Sequence, residues 1–270
     1  MSALTLTMKQ RLDQRVDMSP LVCQKLQDLE PTEIAAIRLQ NGKRTIRVDE
    51  LFKIKGDDTQ NIVIEGSYGK LDFIGKELEG GSITVHGDAG AYLGQDMKSG
   101  RIQVTGNAGL YAGCEMKNGL LQIDGDAGDF LGAALPGNKQ GMKGGTILVK
   151  GSVGERAGDH MRRGVILVEG DAGDYCGSRM VAGTIAVMGQ TGRYLGYAMR
   201  RGTLLLWNQP QLSATFNDCG PHTLAFLPML FASFRHLNSK FADASVAFNR
   251  ARRYGGDMAE VGKGEVLVKQ

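Results

Sequence analysis

A tetrad of the form Gly-x-x-Gly recurs at Gly66, Gly87, Gly106, Gly125, Gly151, Gly170 and Gly189, in steps of 21, 19, 19, 26, 19 and 19 residues. A 19-residue unit cannot bury its own apolar face, whereas stacked copies cover one another. A strand-like run precedes the tetrads (SITVHG, RIQVTG, LLQIDG, TILVKG, VILVEG, TIAVMG), with apolar residues alternating as a half-buried strand requires. The step of 26 holds one insertion, Ala134 to Gln140, and the pattern runs one coil beyond the last tetrad through RYLGYAMRRGTLLLW. The expected fold is therefore all-β: a parallel β-solenoid of about seven 19-residue coils, with equivalent residues piled about 4.8 Å apart. Glycine supports this reading, since 39 residues is about twice the usual ~7% share. With only six prolines, neither collagen nor a flexible linker fits. Glycine at fixed places marks positive φ or close backbone approach.

In-register stacking turns each repeat position into a column. Met97, Met116, Met142, Met161, Met180 and Met199 form one, with Leu78 before them, and read as interior packing by soft side chains. Tyr92, Tyr111, Phe130, Tyr175 and Tyr194 form an aromatic column broken by Arg156. Beside the methionines stand Glu79, Lys98, Lys117, Lys143, Arg162, Val181 and Arg200, with Arg163, Arg179 and Arg201 nearby. Like charges at this spacing repel by about 1 kcal/mol per pair even in a water-like medium. The stripe is thus either a solvated face or a track for an extended anion or an acidic partner surface. Lys98, Lys117, Lys143, Arg162 and Arg200 are the candidate binding residues. Asp88, Asp126 and Asp171 share a column with Asn107, Ser152, Gln190 and Ser67, which fits turn hydrogen bonding better than a metal.

The flanks have a different texture. LTLTMK reads as a strand, SPLVCQKLQDL and PTEIAAIRL as short helices starting near Ser19-Pro20 and Pro31, and NGKRTIRVDELFKIKG as a turn and strand. After Gln209, GPHTLAFLPMLFASFRHLNSKF reads as helix kinked or divided at Pro228, apolar enough to pack on the solenoid flank or on a partner. Three segments are expected: a cap over 1–55, the repeats over 56–208 and a helical extension ending in a strand over 209–270.

Other chemistry is excluded or unsupported. A net charge of +3 without a basic run argues against nucleic acid. Cys23, Cys114, Cys176 and Cys219 are too dispersed for a zinc or iron–sulfur site, and the four histidines form no motif. There is no HEXXH, GxSxG or P-loop. The expectation is no catalytic residue and no metal. Without a secretory h-region or an apolar run of ~18 residues, a cytoplasmic protein off the membrane is expected.

The repeats resemble the GXGXG domain at the C-terminal end of the glutamate synthase large subunit. With the insertion AALPGNKQGMKGGTILVKG (Ala133 to Gly151) and the tail RRYGGDMAEVGKGEVLV (Arg252 to Val268), nearly the whole chain resembles the C subunits of formylmethanofuran dehydrogenase and of the bacterial formyltransferase/hydrolase complex. The resemblance implies a right-handed parallel β-helix and a non-catalytic structural subunit. It would work beside hydrolase, formyltransferase and B-type subunits that process formyl-methanofuran, by transfer to tetrahydromethanopterin and hydrolysis to formate. It also implies contact between the basic stripe and the glutamate-rich tail of a methanofuran-type cofactor. Alternatives are the C subunit of a CO2-reducing tungsten or molybdenum enzyme, a solenoid enzyme acting alone, and a stand-alone polyanion-binding solenoid.

Overall fold

The computed structural model describes residues 2–270. The N-terminal part holds β1 (Ala3–Met8), β2 (Val16–Asp17), α1 (Cys23–Leu26), α2 (Pro31–Ala36), β3 (Arg38–Asn41), β4 (Arg44–Arg47), α3 (Val48–Leu51) and β5 (Phe52–Lys55). The repeats follow with β6 (Asp58–Ser67), β7 (Leu71–Asp72), β8 (Ser82–Gly87), β9 (Arg101–Val104), β10 (Leu120–Ile123), β11 (Thr146–Val149), β12 (Val165–Val168), β13 (Thr184–Val187) and β14 (Arg201–Leu206). The chain closes with β15 (Asn217–Thr223), α4 (Phe226–Ser233), β16 (Arg250–Gly256) and β17 (Lys263–Lys269). No helix among the described residues is long and apolar enough to cross a membrane.

Register is kept throughout the repeats. Ile83, Ile102, Leu121, Ile147, Ile166, Ile185 and Leu204 pair in succession on parallel strands β8 to β14, across the 26-residue step as across the 19-residue ones. The six column methionines are fully buried, as is Leu78. The carbonyls of the first five methionines accept from the next rung: Lys117, Lys143, Arg162, Val181 and Arg200 donate to Met97, Met116, Met142, Met161 and Met180 at 2.7–2.8 Å. The aromatic column stacks face to face, Phe73 on Tyr92 at 4.8 Å, Tyr92 on Tyr111 at 5.4 Å and Tyr111 on Phe130 at 4.6 Å. Where the ring is missing, the Arg156 guanidinium lies 4.3 Å from the Tyr175 centroid. The tetrad column consists of hydrogen bonds: Asp88, Asn107, Asp126, Ser152 and Asp171 each accept from a backbone N–H one rung on, at 2.6–3.0 Å.

The expected architecture needs correction. Instead of an all-β right-handed parallel β-helix, the strands form one 13-stranded mixed sheet, ordered β15-β16-β17-β14-β13-β12-β11-β10-β9-β8-β6-β1-β5, plus a four-stranded sheet β4-β3-β2-β7. Each stacked repeat supplies one strand to the large sheet. The rest of the repeat is turn, with isolated β-bridges from rung to rung at Ala89, Ala108, Ala127, Val153, Ala172 and Thr191 rather than further strands. Recurrent glycines and left-handed residues such as Tyr111 (φ +60°) and Tyr175 (φ +62°) break the remaining length into pieces too short for further strands. The large sheet is mixed because both ends return as antiparallel neighbours: β5 on β1, and β16 between β17 and β15. Of these antiparallel pairs only β16 and β17 are joined by a short connection; β5 and β15 reach their partners through long intervening segments.

The flanks depart locally from expectation. The first helix starts at Cys23 rather than near Ser19, and the Arg38–Asn41 stretch after α2 enters a hairpin. Pro31 opens α2 as its first residue, where its missing N–H costs nothing. The stretch from Gly220 to Thr223 forms part of edge strand β15, and Pro228 sits in the first turn of α4, so it starts that helix rather than kinking it. The extension packs on the large sheet. Leu148, Leu167, Ala186, Leu205 and Leu267 form a core cluster with Leu227, Phe231, Phe234 and Phe241. Strands β11 and β12, read TILV and VILV, are apolar on both faces because this segment covers the second one. Trp207 is the centre of the contact, edge-on to Phe231, Phe241 and Phe248 at 5.2–5.9 Å, with its indole N–H donated to the Val246 carbonyl. Trp207→Ala is expected to cost about 3–5 kcal/mol. Limited proteolysis should then cut first between residues 209 and 249, while the repeats stay intact.

Candidate functional site

The stacking that buries the methionines leaves the residue after each of them partly or fully exposed. Lys98, Lys117, Arg162 and Arg200 are exposed and Lys143 is half-buried. Equal placement does not make them equivalent. Lys98 is paired with Glu79 of the preceding rung; their hydrogen bond pushes the Lys98 ammonium up and holds the Glu79 carboxyl below its ordinary range. Lys117 lies 3.0 Å from Asp96, also one rung back. These two lysines are neutralised within the stack, as a solvated face would be.

The C-terminal half of the stripe differs. Lys143, Arg162, Arg163, Arg200 and Arg201 line one cleft of about 590 Å³ with Gln140, Val181, Ala182 and Val261. No carboxylate among the described residues lines it. Among the described residues Arg162, Arg163 and Arg201 have no carboxylate within ion-pair distance, while Lys143 reaches Glu115 at 4.0 Å and Arg200 reaches Glu260 at 3.6 Å. Both walls are departures from the repeat. One is the insertion loop, anchored by Glu115, which accepts from the Leu135 N–H and the Asn138 amide. The other is the turn at Val261, fixed by Asp257, which accepts from the backbone of Ala198 and Ala259. Of the five expected residues, the fold gathers Lys143, Arg162 and Arg200 and leaves Lys98 and Lys117 outside.

An adjoining cavity of about 480 Å³ shares Val181 and Arg200 with the first and adds Lys139, His160, Arg179, Tyr197, Ala198 and Glu260. Sequence reading placed Arg179 only near the stripe and His160 only among dispersed histidines, and missed the buried Asp159 beside them. A signal was present: the position before the methionine column is Glu77, Asp96 and Glu115 early in the stack, then His160 and Arg179. That sign change removes the internal counter-charges. Val181, where the column omits its cation, lies where the two cavities meet.

Arginine guanidinium is a planar fork suited to carboxylate or phosphate, and clustered cations with low-dielectric walls concentrate anions. The donor set therefore suits an acidic ligand, including a glutamate-rich tail. The thiols are inert in comparison. Burial pushes Cys114 and Cys176 up to about 12 and Cys23 up to about 11, so they remain protonated packing groups.

Known proteins match the chain in sequence and in overall fold. The profile of the GXGXG motif family matches residues 34–219. The chain is 51% identical, over 98% of both sequences, to the C subunit of the formyltransferase/hydrolase complex Fhc of Methylorubrum extorquens. It is 33% identical to the C subunit of the tungsten-containing formylmethanofuran dehydrogenase 2 of Methanococcus maripaludis, over 34% of this chain and 35% of that one. Among solved structures, a chain of the crystal structure of the FhcABCD complex from Methylorubrum extorquens with methylofuran superposes with a TM-score of 0.91 at 40% identity, covering 98% of this chain and 99% of that one.

Proposed function

Because this chain belongs to the GXGXG motif family, and within it to the C-subunit family of formyltransferase/hydrolase complexes, we propose that it is the non-catalytic structural subunit of such a complex. The complex processes formyl-methanofuran in formaldehyde oxidation: other subunits transfer the formyl group to tetrahydromethanopterin and hydrolyse it to formate. The observation carrying this is end-to-end correspondence with a C subunit, in sequence and in fold. Its side-chain chemistry is consistent with the role, since tetrad carboxylates are occupied in rung-to-rung bonds and the buried thiols stay protonated. The tungsten-enzyme alternative has weaker support, from a match to about a third of the chain.

The hydrolase, formyltransferase and B-type subunits are the partners. Residues 1–55 close one end of the stack, 56–208 carry it, and 209–270 cover its sheet and supply one wall of the cleft. The stripe of Lys98, Lys117, Lys143, Arg162 and Arg200 divides by role: the first two solvate the stack, and the last three, with Arg163 and Arg201, contact the acidic tail of a methanofuran-type cofactor. When bound, that cofactor carries the one-carbon unit; this chain's residues only retain it. Co-expression with the other subunits, followed by native mass spectrometry, tests the reading. The expected species contains this chain with three larger unlike subunits and the cofactor. Recovery of the chain alone as an active monomer would contradict it.

A further inference from the structure

We propose that the outer face of α4 is a docking surface for another protein subunit, one whose apolar groove takes Phe226 and Met229 and whose carboxylates stand near the two ends of the helix. The inference deepens the reading of this chain as a subunit of a larger complex and rests on it.

Helix α4, FLPMLFAS, is apolar on both sides. Leu227 and Phe231, with Phe234 just beyond the helix, are buried against the large sheet. Phe226, Met229 and the half-buried Leu230 form a second stripe, at the i, i+3, i+4 spacing of one helix face. Phe226 is 42% and Met229 77% exposed, and Ala225, Pro228 and Ala232 are open beside them. A helix that packs on one surface normally keeps its other face polar, and one that is apolar all round is buried all round. The chain itself covers only the inner face, so another molecule must cover the outer one.

The open edges of the large sheet are protected in a way that α4 is not. At β15 the register breaks between Asp218 and Pro221, and Pro221 offers no N–H. At β5 the exposed Lys53 and Lys55 discourage chance pairing. From Leu224 to Phe234, by contrast, no residue is charged, and no carboxylate appears before Lys240.

The charges at the helix ends select the occupant. Arg250 stands at the start: it pairs with Thr223, and the next N–H, of Leu224, donates to the Asn249 carbonyl. Arg235 follows the last helical residue, Ser233, by two positions. The nearby cations Lys240 and Arg252 are paired with Glu169 and Asp218, whereas among the described residues Arg235 and Arg250 have no carboxylate within ion-pair distance. Eight residues of helix span about 12 Å, so the matching surface holds an apolar groove between carboxylates at roughly that separation. A second copy of this chain does not fit. Packed on this face about a two-fold axis, two copies would set cation against cation whichever way the helices ran. An acidic-rimmed unlike subunit removes that repulsion.

The test compares the free chain with the complex assembled by co-expression with the other subunits. Oxidation by dilute hydrogen peroxide, followed by mass spectrometry, reports the cover on Met229, with the buried column methionines as the unreactive reference. In the complex Met229 should oxidise at least tenfold more slowly than in the free chain. Native mass spectrometry of the complex through a dilution series then measures release of this chain. Met229→Glu should raise the concentration of release at least thirtyfold, the effect of losing one buried interface anchor. The side chain is exposed, so the melting midpoint of the free variant should hold. Arg235→Gln/Arg250→Gln should raise the concentration of release about fivefold at low ionic strength and match wild type at high salt. Equal oxidation of Met229 in both states, or release of Met229→Glu at the wild-type concentration, would overturn this proposal alone. So would binding of the free chain to anionic phosphatidylserine vesicles that Met229→Glu abolishes while assembly is unchanged, or a dimer of the free chain that Met229→Glu dissolves. Failure of the wild-type chain to assemble at all would overturn the subunit reading and this proposal with it.

Discussion

Gly170→Ala is expected to destabilise the chain by about 3 kcal/mol or more, in the range of severe overpacking. A Cβ at Gly170 would stand 2.6 Å from the Gly151 carbonyl oxygen and from Ser152 Oγ, and 2.7 Å from the Gly151 carbonyl carbon. The first two of these distances belong to groups in use: the Gly170 N–H donates to the Gly151 carbonyl at 3.0 Å, and Ser152 Oγ accepts from Asp171. Backbone cannot yield as a flexible side chain does, so the rungs must separate and the ladders on both sides stretch. Gly69→Ala is the control, since nothing lies within 4 Å of its Cβ and its φ is unexceptional. Urea midpoints of the two variants separate the causes: a drop confined to Gly170→Ala supports rung contact, and equal midpoints would refute it.

The second large effect concerns the two halves of the basic stripe. Arg162→Gln/Arg163→Gln/Arg201→Gln should lower cofactor retention by the complex at least thirtyfold, taking about fivefold per lost contact and allowing for imperfect additivity. Lys98→Gln/Lys117→Gln should change it less than about threefold, because each lysine already has a carboxylate and an exposed pair contributes little. Retention measured across a salt series gives a further check, since only the cleft variant should flatten its salt dependence. Equal losses in the two variants would mean that the whole stripe acts together.

How much of this was legible varied with the range of the interactions. The methionine and aromatic columns were readable because a fixed repeat in register leaves each position one environment, and Met97 through Met199 and Tyr92 through Tyr194 occupy theirs accordingly. The hydrogen-bonded tetrad column followed equally from the alternation of Asp, Asn and Ser. The closed helix of strands did not follow. Periodicity reports that units stack, while the number of regular strands per unit depends on where left-handed residues interrupt the backbone, and Tyr111 or Arg179 at positive φ gives no compositional sign. The division of the basic stripe was only half visible. Its cations could be aligned by eye, but of their counter-charges only Glu79 shares their column; Asp96 and Glu115 stand one position before the methionines, and all three meet the lysines only across rungs.

The amino-acid order by itself determined the stacking, its register, the buried methionines and the position of the outward cations, because all of these follow from one local period repeated. Only the tertiary structure decided that the strands join in a mixed sheet, that the C-terminal segment covers its second face, and that the insertion loop and the Val261 turn wall the cleft. Those contacts join residues dozens of positions apart, and their outcome depends on which surfaces remain to be buried once the repeats have stacked.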